Sequence, residues 1–163
     1  MQIRDLAPAD LDAALRLNEA ALPAVNSHDA ESLATLVSQA DRCWVATDEN
    51  TLAGLLVSFA PGSEYTSAHY RWLQKRFEQF RYVDRIIISP THKRRGLGSK
   101  LYAVLEAHAL AQHATRLLCE VNVVPANPQS IAFHERSGWT AVSDRTLRAD
   151  KVVRYFEKTL VDT

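Results

Sequence analysis

The chain is poor in several things, and each shortage excludes a class. It has two cysteines, Cys43 and Cys119, both inside apolar runs, so no disulfide framework is expected and both read as buried free thiols of a reducing compartment. No Cys/His spacing suggests a zinc site, and no metal is expected. No apolar run is long enough to span a bilayer, and Met1-Gln2-Ile3-Arg4 does not read as a secretory leader. These features lead us to expect a cytoplasmic protein with no membrane partner. Charge of either sign is also missing in excess. The 19 Lys and Arg balance the 19 Asp and Glu, with no basic stripe, so no nucleic-acid partner is expected. At 163 residues the chain suits one domain, expected over 1–163.

What is present alternates between strand and helix patterns. Residues 2–6 read as a short strand, with a helix opening near Pro8 and ending at Pro23. Ser27 or Asp29 can cap a second helix reaching about residue 40. Residues 43–47 and 52–60 read as a hairpin around Asp48-Glu49-Asn50. The stretch 64–81 is long and aromatic, and part of it reads as helix. Residues 82–89 form a β-branched run typical of a buried strand. A helix follows over about 99–113, then a strand over 116–123. A short helix over 129–137 is closed by Gly138. The last two strands, 139–143 and 152–160, are joined by a polar loop.

The junction after the 82–89 strand carries chemistry. Lys93-Arg94-Arg95-Gly96-Leu97-Gly98-Ser99 stands between a buried strand and a helix. A helix N-terminus has backbone N–H groups without partners and a partial positive charge, and a phosphate satisfies both. Glycine lets the backbone approach such a group closely. Three cations at that end are unfavourable unless an anion offsets them. The spacing is not a Walker A loop, since Gly98-Ser99-Lys100 has the wrong order, nor a dinucleotide fingerprint, since Leu101 stands where the third glycine belongs. A tight turn with exposed basic residues is the plain alternative.

The sequence resembles the GNAT superfamily of N-acetyltransferases in two motifs. The pyrophosphate loop of that family reads Arg/Gln-x-x-Gly-x-Gly/Ala. Lys93-Arg94-Arg95-Gly96-Leu97-Gly98 fits, with Lys93 at the Arg/Gln position. The second motif is an Asn, a short helix with an aromatic pair, then Gly and an aromatic. Here it runs from Asn127 through Phe133-His134 to Gly138-Trp139, with His134 where the family usually has Tyr. Together they cover about residues 80–142.

The resemblance implies an α/β fold: a mixed, mostly antiparallel twisted sheet of six to seven strands, about four flanking helices and a splayed central strand pair. It implies transfer of an acetyl group from acetyl-CoA to a primary amine by direct attack. The acceptor is a small molecule or a peptide or protein amine, and members often form homodimers. Backbone groups of Arg94, Arg95, Gly96, Leu97, Gly98 and Ser99, with Lys93, would hold the pyrophosphate. The pantetheine arm would lie along Ile86, Ile87 and Ile88, with an N–H near Ile88 as oxyanion donor. Asn127 and Ser130 would touch the coenzyme A arm, unless Asn127 merely caps its helix. Glu120 is the first candidate base and Asp84 the second; an ion pair is the plain reading of each. His134 takes the position of the family's general acid. His28, His69, His92, His108 and His113 carry no motif and are read as solvated. Residues 64–80 could wall the acceptor site or simply pack onto the sheet. A weakly catalytic acyl-CoA-binding module of the same fold is the alternative to an enzyme.

Overall fold

The computed structural model describes residues 1–161; the last two positions of the 1–163 span lie outside the described residues. In chain order the elements are β1 (Gln2–Asp5), α1 (Leu11–Glu19), α2 (Ala30–Gln39), β2 (Arg42–Asp48), β3 (Thr51–Phe59), α3 (Ala68–Gln74), β4 (Phe80–Ile88), α4 (Leu97–Ala111), β5 (Arg116–Val124), α5 (Pro128–Arg136), β6 (Thr140–Arg148) and β7 (Lys151–Thr159). One seven-stranded sheet has the order β1-β2-β3-β4-β5-β7-β6. Every pairing is antiparallel except β4 with β5. That parallel pair needs a crossover, which α4 supplies.

Each helix starts where local chemistry permits. Asp29 caps α2 by accepting from the Ser32 N–H at 2.8 Å. Pro128 begins α5 at a position that needs no N–H donor. The two sheet faces are covered differently. Leu33 of α2, Tyr70 and Leu73 of α3, and Val45, Leu55, Val57, Phe59, Tyr82 and Tyr155 of the sheet form one core. Leu101 and Leu105 of α4, with Trp44, Leu56, Val83, Val121, Trp139 and Phe156, form the other. Period-2 alternation along β3 sends Leu55 and Val57 to the first and Leu56 to the second.

Two departures from the sequence reading have simple causes. The segment expected as a polar loop after 143 is strand, with β6 paired to β7 as far as Arg148 opposite Lys151. As an edge strand with almost every residue exposed, β6 has no hydrophobic pattern to announce it. The aromatic stretch yields a fifth helix, α3, short enough to leave little periodicity.

The important irregularity lies in β4. In the β3–β4 ladder Val57 faces Arg85 and Ser58 faces Val83, leaving Asp84 without an opposite residue. This is a β-bulge, with two residues on one strand against one on the other. It places Asp84 and Arg85 on the same side of the sheet. Arg85 donates from Nε to Asp84 Oδ2 at 2.7 Å and from Nη1 to Asn18 Oδ1 of α1 at 2.6 Å. Tyr65 Oη donates to Asp84 Oδ1. The two charged side chains are 3% and 5% exposed, so the pair is buried and fully engaged. Removing one partner of such a pair leaves an uncompensated buried charge. Arg85→Met should therefore cost about 3–5 kcal/mol in urea denaturation, and adding Asp84→Asn should recover part of the loss.

Candidate active site

The parallel pairing of β4 and β5 covers only Phe80 with Arg116 through Val83 with Cys119. Beyond it, β4 stays paired to β3 as far as Ile88, and β5 to β7 as far as Val124. The two strands therefore part, and the edge of β4 from Asp84 to Ile88 faces no strand. Backbone groups on such an edge need partners, and an extended ligand can supply them.

A cleft of about 1410 Å³ opens at this parting, larger than an ordinary ligand pocket of about 300–1000 Å³. It brings together most of the residues singled out for the acyl donor. Ile86, Ile87 and Ile88 form one side, and Lys93, Arg94, Gly96, Leu97, Gly98 and Ser99 one end. Asn127, Ser130, Phe133 and His134 of the α5 region form another side. The segment after α1, including Ala20, Ala21, Leu22 and Val25, closes it with small apolar side chains; no sequence motif marked that wall.

The turn before α4 leaves backbone donors without partners. Gly96 is the N-cap, left-handed at φ 74, and no side chain caps the helix. The first N–H groups of α4 therefore face the cleft end without a side-chain acceptor. Arg94 is also left-handed, at φ 62, and such alternation turns successive N–H groups into a concave nest. Lys93 and Arg94 are exposed and, among the described residues, have no carboxylate within 4 Å. The Arg95 side chain takes a different course from those of Lys93 and Arg94, while its backbone stays in the turn. It leaves the cleft and approaches Asp48 at 3.6 Å.

The two glycines serve different ends. A Cβ on Gly96 would meet nothing within 4 Å, but its positive φ disfavours any L side chain. A Cβ on Gly98 would lie 3.1 Å from Cζ of Phe133. Gly98 is thus small so that α4 can approach α5, while Gly96 lets the backbone turn toward a ligand.

Glu120 and Asp84 stand where the strands part, on the face covered by α1 to α3. Their environments differ sharply. Asp84 has a cation and a phenol on its two oxygens. Glu120 has one phenol, Tyr82 Oη, shared between its oxygens at 2.8 and 2.7 Å. Burial, then the nearby Asp84 charge, push the Glu120 carboxyl up to about 8, against the smaller opposing effects of Tyr82 and Lys151. The residue keeps partial solvent access. A carboxyl that holds its proton to about pH 8 is mostly protonated at neutrality, and its ionised form is a stronger base than an ordinary carboxylate.

His134 is buried, 2% exposed. Its Nδ1 lies 2.7 Å from the Ser130 carbonyl oxygen, which can only accept, so Nδ1 carries the proton. Nε2 then accepts from Tyr102 Oη at 2.7 Å. Burial lowers its pKa, and the ring is neutral. Both nitrogens are committed to the fold, locking α5 to α4, and the geometry does not present His134 as a proton donor. The reason is the helix contact, which its neighbour Phe133 gave no hint of in sequence. Asn127 Oδ1 accepts from the Ser130 N–H at 3.4 Å, so it caps α5 while lining the cleft.

The histidines read as solvated are mostly partnered. His92 is buried and 3.1 Å from Asp48. His108 lies 2.8 Å from Asp41. His69 of α3 meets Tyr155 Oη at 2.9 Å; burial, then Arg145 and Lys151, drive its pKa down to about 4. No titration motif marks such side chains, because their partners come from distant elements. The aromatic stretch mainly packs: Trp72 stacks on Tyr155 with centroids 4.4 Å apart. Only Tyr65 and His69 reach the carboxylates' neighbourhood.

The family model described as the acetyltransferase (GNAT) family matches residues 11–139, well over half the chain. The chain belongs to the GNAT family of acetyltransferases. As such it is an acyl-CoA-dependent N-acetyltransferase. Solved structures agree in fold. The ribosomal-protein-S18-alanine N-acetyltransferase of Escherichia coli is 18% identical, with 99% of this chain and 95% of that one covered and a TM-score of 0.75. Ard1 of Thermoplasma volcanium is 14% identical, with 99% and 98% covered and a TM-score of 0.80. YncA of Salmonella typhimurium, solved with its cofactor acetyl-CoA, is 17% identical, with 100% and 95% covered and a TM-score of 0.72. No curated protein sequence matches the chain. Among the described residues no helix is long and apolar enough to cross a membrane, and no group of three or more His, Cys, Asp or Glu could hold a metal ion.

If His134 is a clamp between helices, His134→Phe leaves the Tyr102 hydroxyl buried without an acceptor. The expected cost is about 1–3 kcal/mol, read as a lower melting temperature, with acetyl-CoA affinity little changed in calorimetry. Gly96→Val should weaken acetyl-CoA binding in calorimetry and, because its positive φ strains a β-branched residue, also lower the melting temperature, whereas Gly96→Asn, tolerated at that φ, should lower it less.

Proposed function

We propose that this acetyltransferase moves the acetyl group of acetyl-CoA to a primary amine by direct attack within a ternary complex. The observation that carries this reading is the parting of β4 and β5: a turn of unpaired N–H groups lines one end of the cleft that opens there, and the Glu120 carboxyl, which does not itself line that cleft, lies one residue past the last β4–β5 pair. Acetyl-CoA supplies the activated acyl carbon. The N–H groups at the start of α4, with Lys93 and Arg94, hold its pyrophosphate. The free edge of β4 at Ile86, Ile87 and Ile88 pairs with the pantetheine arm and points a backbone N–H toward the thioester oxygen. Such a donor contributes about 3–4 kcal/mol to transition-state stabilisation.

The acceptor arrives as an ammonium. Glu120 takes its proton, and the free amine attacks. Asp84, held by Arg85 and Tyr65, is not the base; its charge helps raise the Glu120 pKa. Tyr82 orients the Glu120 carboxylate. The departing thiolate resembles that of a thiol with a pKa of about 8.5 and leaves without help from His134. The tuned carboxyl of Glu120 favours this reading over a binding module without chemistry, since a mere module has no use for a carboxyl so poised. The two buried free thiols, Cys43 and Cys119, suit a reducing cytoplasm.

The pH dependence follows from the sign of the Glu120 shift. Base catalysis needs the ionised form, so turnover should rise with pH through about 8. Glu120→Gln should lower turnover by about 100- to 10,000-fold and abolish that limb. Stability should move the other way. The unfolded chain ionises this group near 4.5, the folded one near 8, so its contribution is full at low pH and falls as pH rises through that window. Glu120→Gln should therefore melt higher than the parent at pH 9 relative to pH 5. A variant with parental turnover would remove Glu120 from the reaction.

A further inference from the structure

Beyond the acyl-donor cleft, the sheet face that carries Glu120 continues onto β7 and β6. Glu120 is opposite Tyr155, and Tyr155 is opposite Ser143. One two-residue step further along the same face, Asn122 is opposite Val153 and Val153 opposite Arg145. Lys151 reaches back to this row, donating from Nζ to Asn122 Oδ1 at 2.7 Å. Arg145 Nη1 reaches Tyr155 Oη at 3.4 Å.

Both cations are half-buried. Among the described residues neither has a carboxylate within 4 Å, although Asp144, Arg148, Asp150 and Arg154 of the same hairpin pair with one another. Lys151 has three donors and one protein acceptor, and Arg145 has five donors and a single long bond. Desolvation lowers the Lys151 pKa, against the smaller opposing pull of the nearby Glu120 charge, so the ammonium is partly withdrawn from water with no carboxylate in contact. The nearby His69 is neutral and adds no negative charge. The rim beside the basic carboxylate is therefore positive and under-satisfied.

We propose that the acceptor is an amine that also carries an anionic group within a few bonds, an amino acid or an aminoalkyl phosphate, with the amine at Glu120 and the anion between Lys151 and Arg145. This rests on the acetyl-transfer reading and narrows its acceptor. The spacing suits a small molecule. Glu120 and Asn122 are one two-residue step apart, about 6.7 Å along the strand, and Lys151 Nζ sits on Asn122. An amine within hydrogen-bond reach of Glu120 and an anion within reach of Lys151 then lie a few Å apart. A guanidinium also matches carboxylate and phosphate oxygens two at a time. The amino terminus of a peptide offers an amide at that position and leaves both cations unpaired.

The test compares matched acceptors with acetyl-CoA: the coded amino acids against their carboxamides, and 2-aminoethyl phosphate against ethanolamine. In parallel, calorimetry measures binding of the same compounds to protein saturated with coenzyme A. The anionic member should be preferred in kcat/KM by about tenfold or more, the scale of hydrogen bonds to a charged group. Arg145→Gln and Lys151→Gln should each move that ratio toward one. The carboxylate and phosphate arms identify which anion the rim takes. Transfer to carboxamides and ethanolamine with no preference for the acids overturns this acceptor class and leaves acetyl transfer standing. Anion-dependent binding that the two variants abolish, without any transfer, supports the anion site and sinks the enzymatic reading. Neither binding nor transfer sinks both.

Discussion

The parallel ladder between β4 and β5 lasts for four residue pairs, from Phe80 with Arg116 to Val83 with Cys119, and the functional architecture depends on its stopping there. The next residue of β4 is Asp84, the extra residue of the bulge against β3. A bulge bends its strand and sharpens the local twist. With β3 and β7 each holding their own strand, the two halves of the sheet separate instead of closing up. The separation leaves a backbone edge without a partner, next to a helix whose first N–H groups are also without one. Both deficits face the same cleft, and one extended, phosphate-bearing ligand meets both.

The same bulge sorts the two carboxylates. By placing Asp84 beside Arg85 on one face, it gives Asp84 a buried cation. Glu120, across the parting, receives a phenol and the repulsion of its neighbour. Two acids near each other in the fold thus acquire different proton affinities from their surroundings. The order matters in the other direction as well. Because Arg85 is consumed by Asp84 and Asn18, it cannot lower the Glu120 pKa by pairing with it. The cost of keeping Glu120 so basic is offset by packing, chiefly of the core on its own face, whose largest buried side chains are Tyr70, Tyr82, Tyr155, Phe59 and Phe80.

Much of this architecture could be read in advance where the determinant is local. The β-branched run of β4, the Pro-capped start of α5 and the Gly96-Leu97-Gly98 turn each follow from residues close together in the chain. The turn that lines the end of the cleft was legible for that reason, since unpaired N–H groups at a helix start need only the right local geometry. The strand β6 was not, because an exposed edge strand is held by its neighbour's backbone and shows no apolar period. Arg95 could not be told from Lys93 and Arg94, since its partner Asp48 comes from another hairpin. The small size of Gly98 looked like room for a phosphate and is room for Phe133.

By itself the sequence determined the order of elements, the anion-binding turn and the family, because these rest on spacing within short segments. Only the tertiary structure decided which side chains are chemically free. Glu120, Asp84 and His134 are all plausible catalysts on paper. Arg85 and Tyr65 each donate to one oxygen of Asp84, Ser130 and Tyr102 occupy both nitrogens of His134, and Glu120 has a single phenol as partner and an elevated pKa. The deciding partners, apart from Arg85 and Ser130, lie far away in sequence. A proton affinity is set by all the charges and dipoles within a few Å, and only folding brings those together.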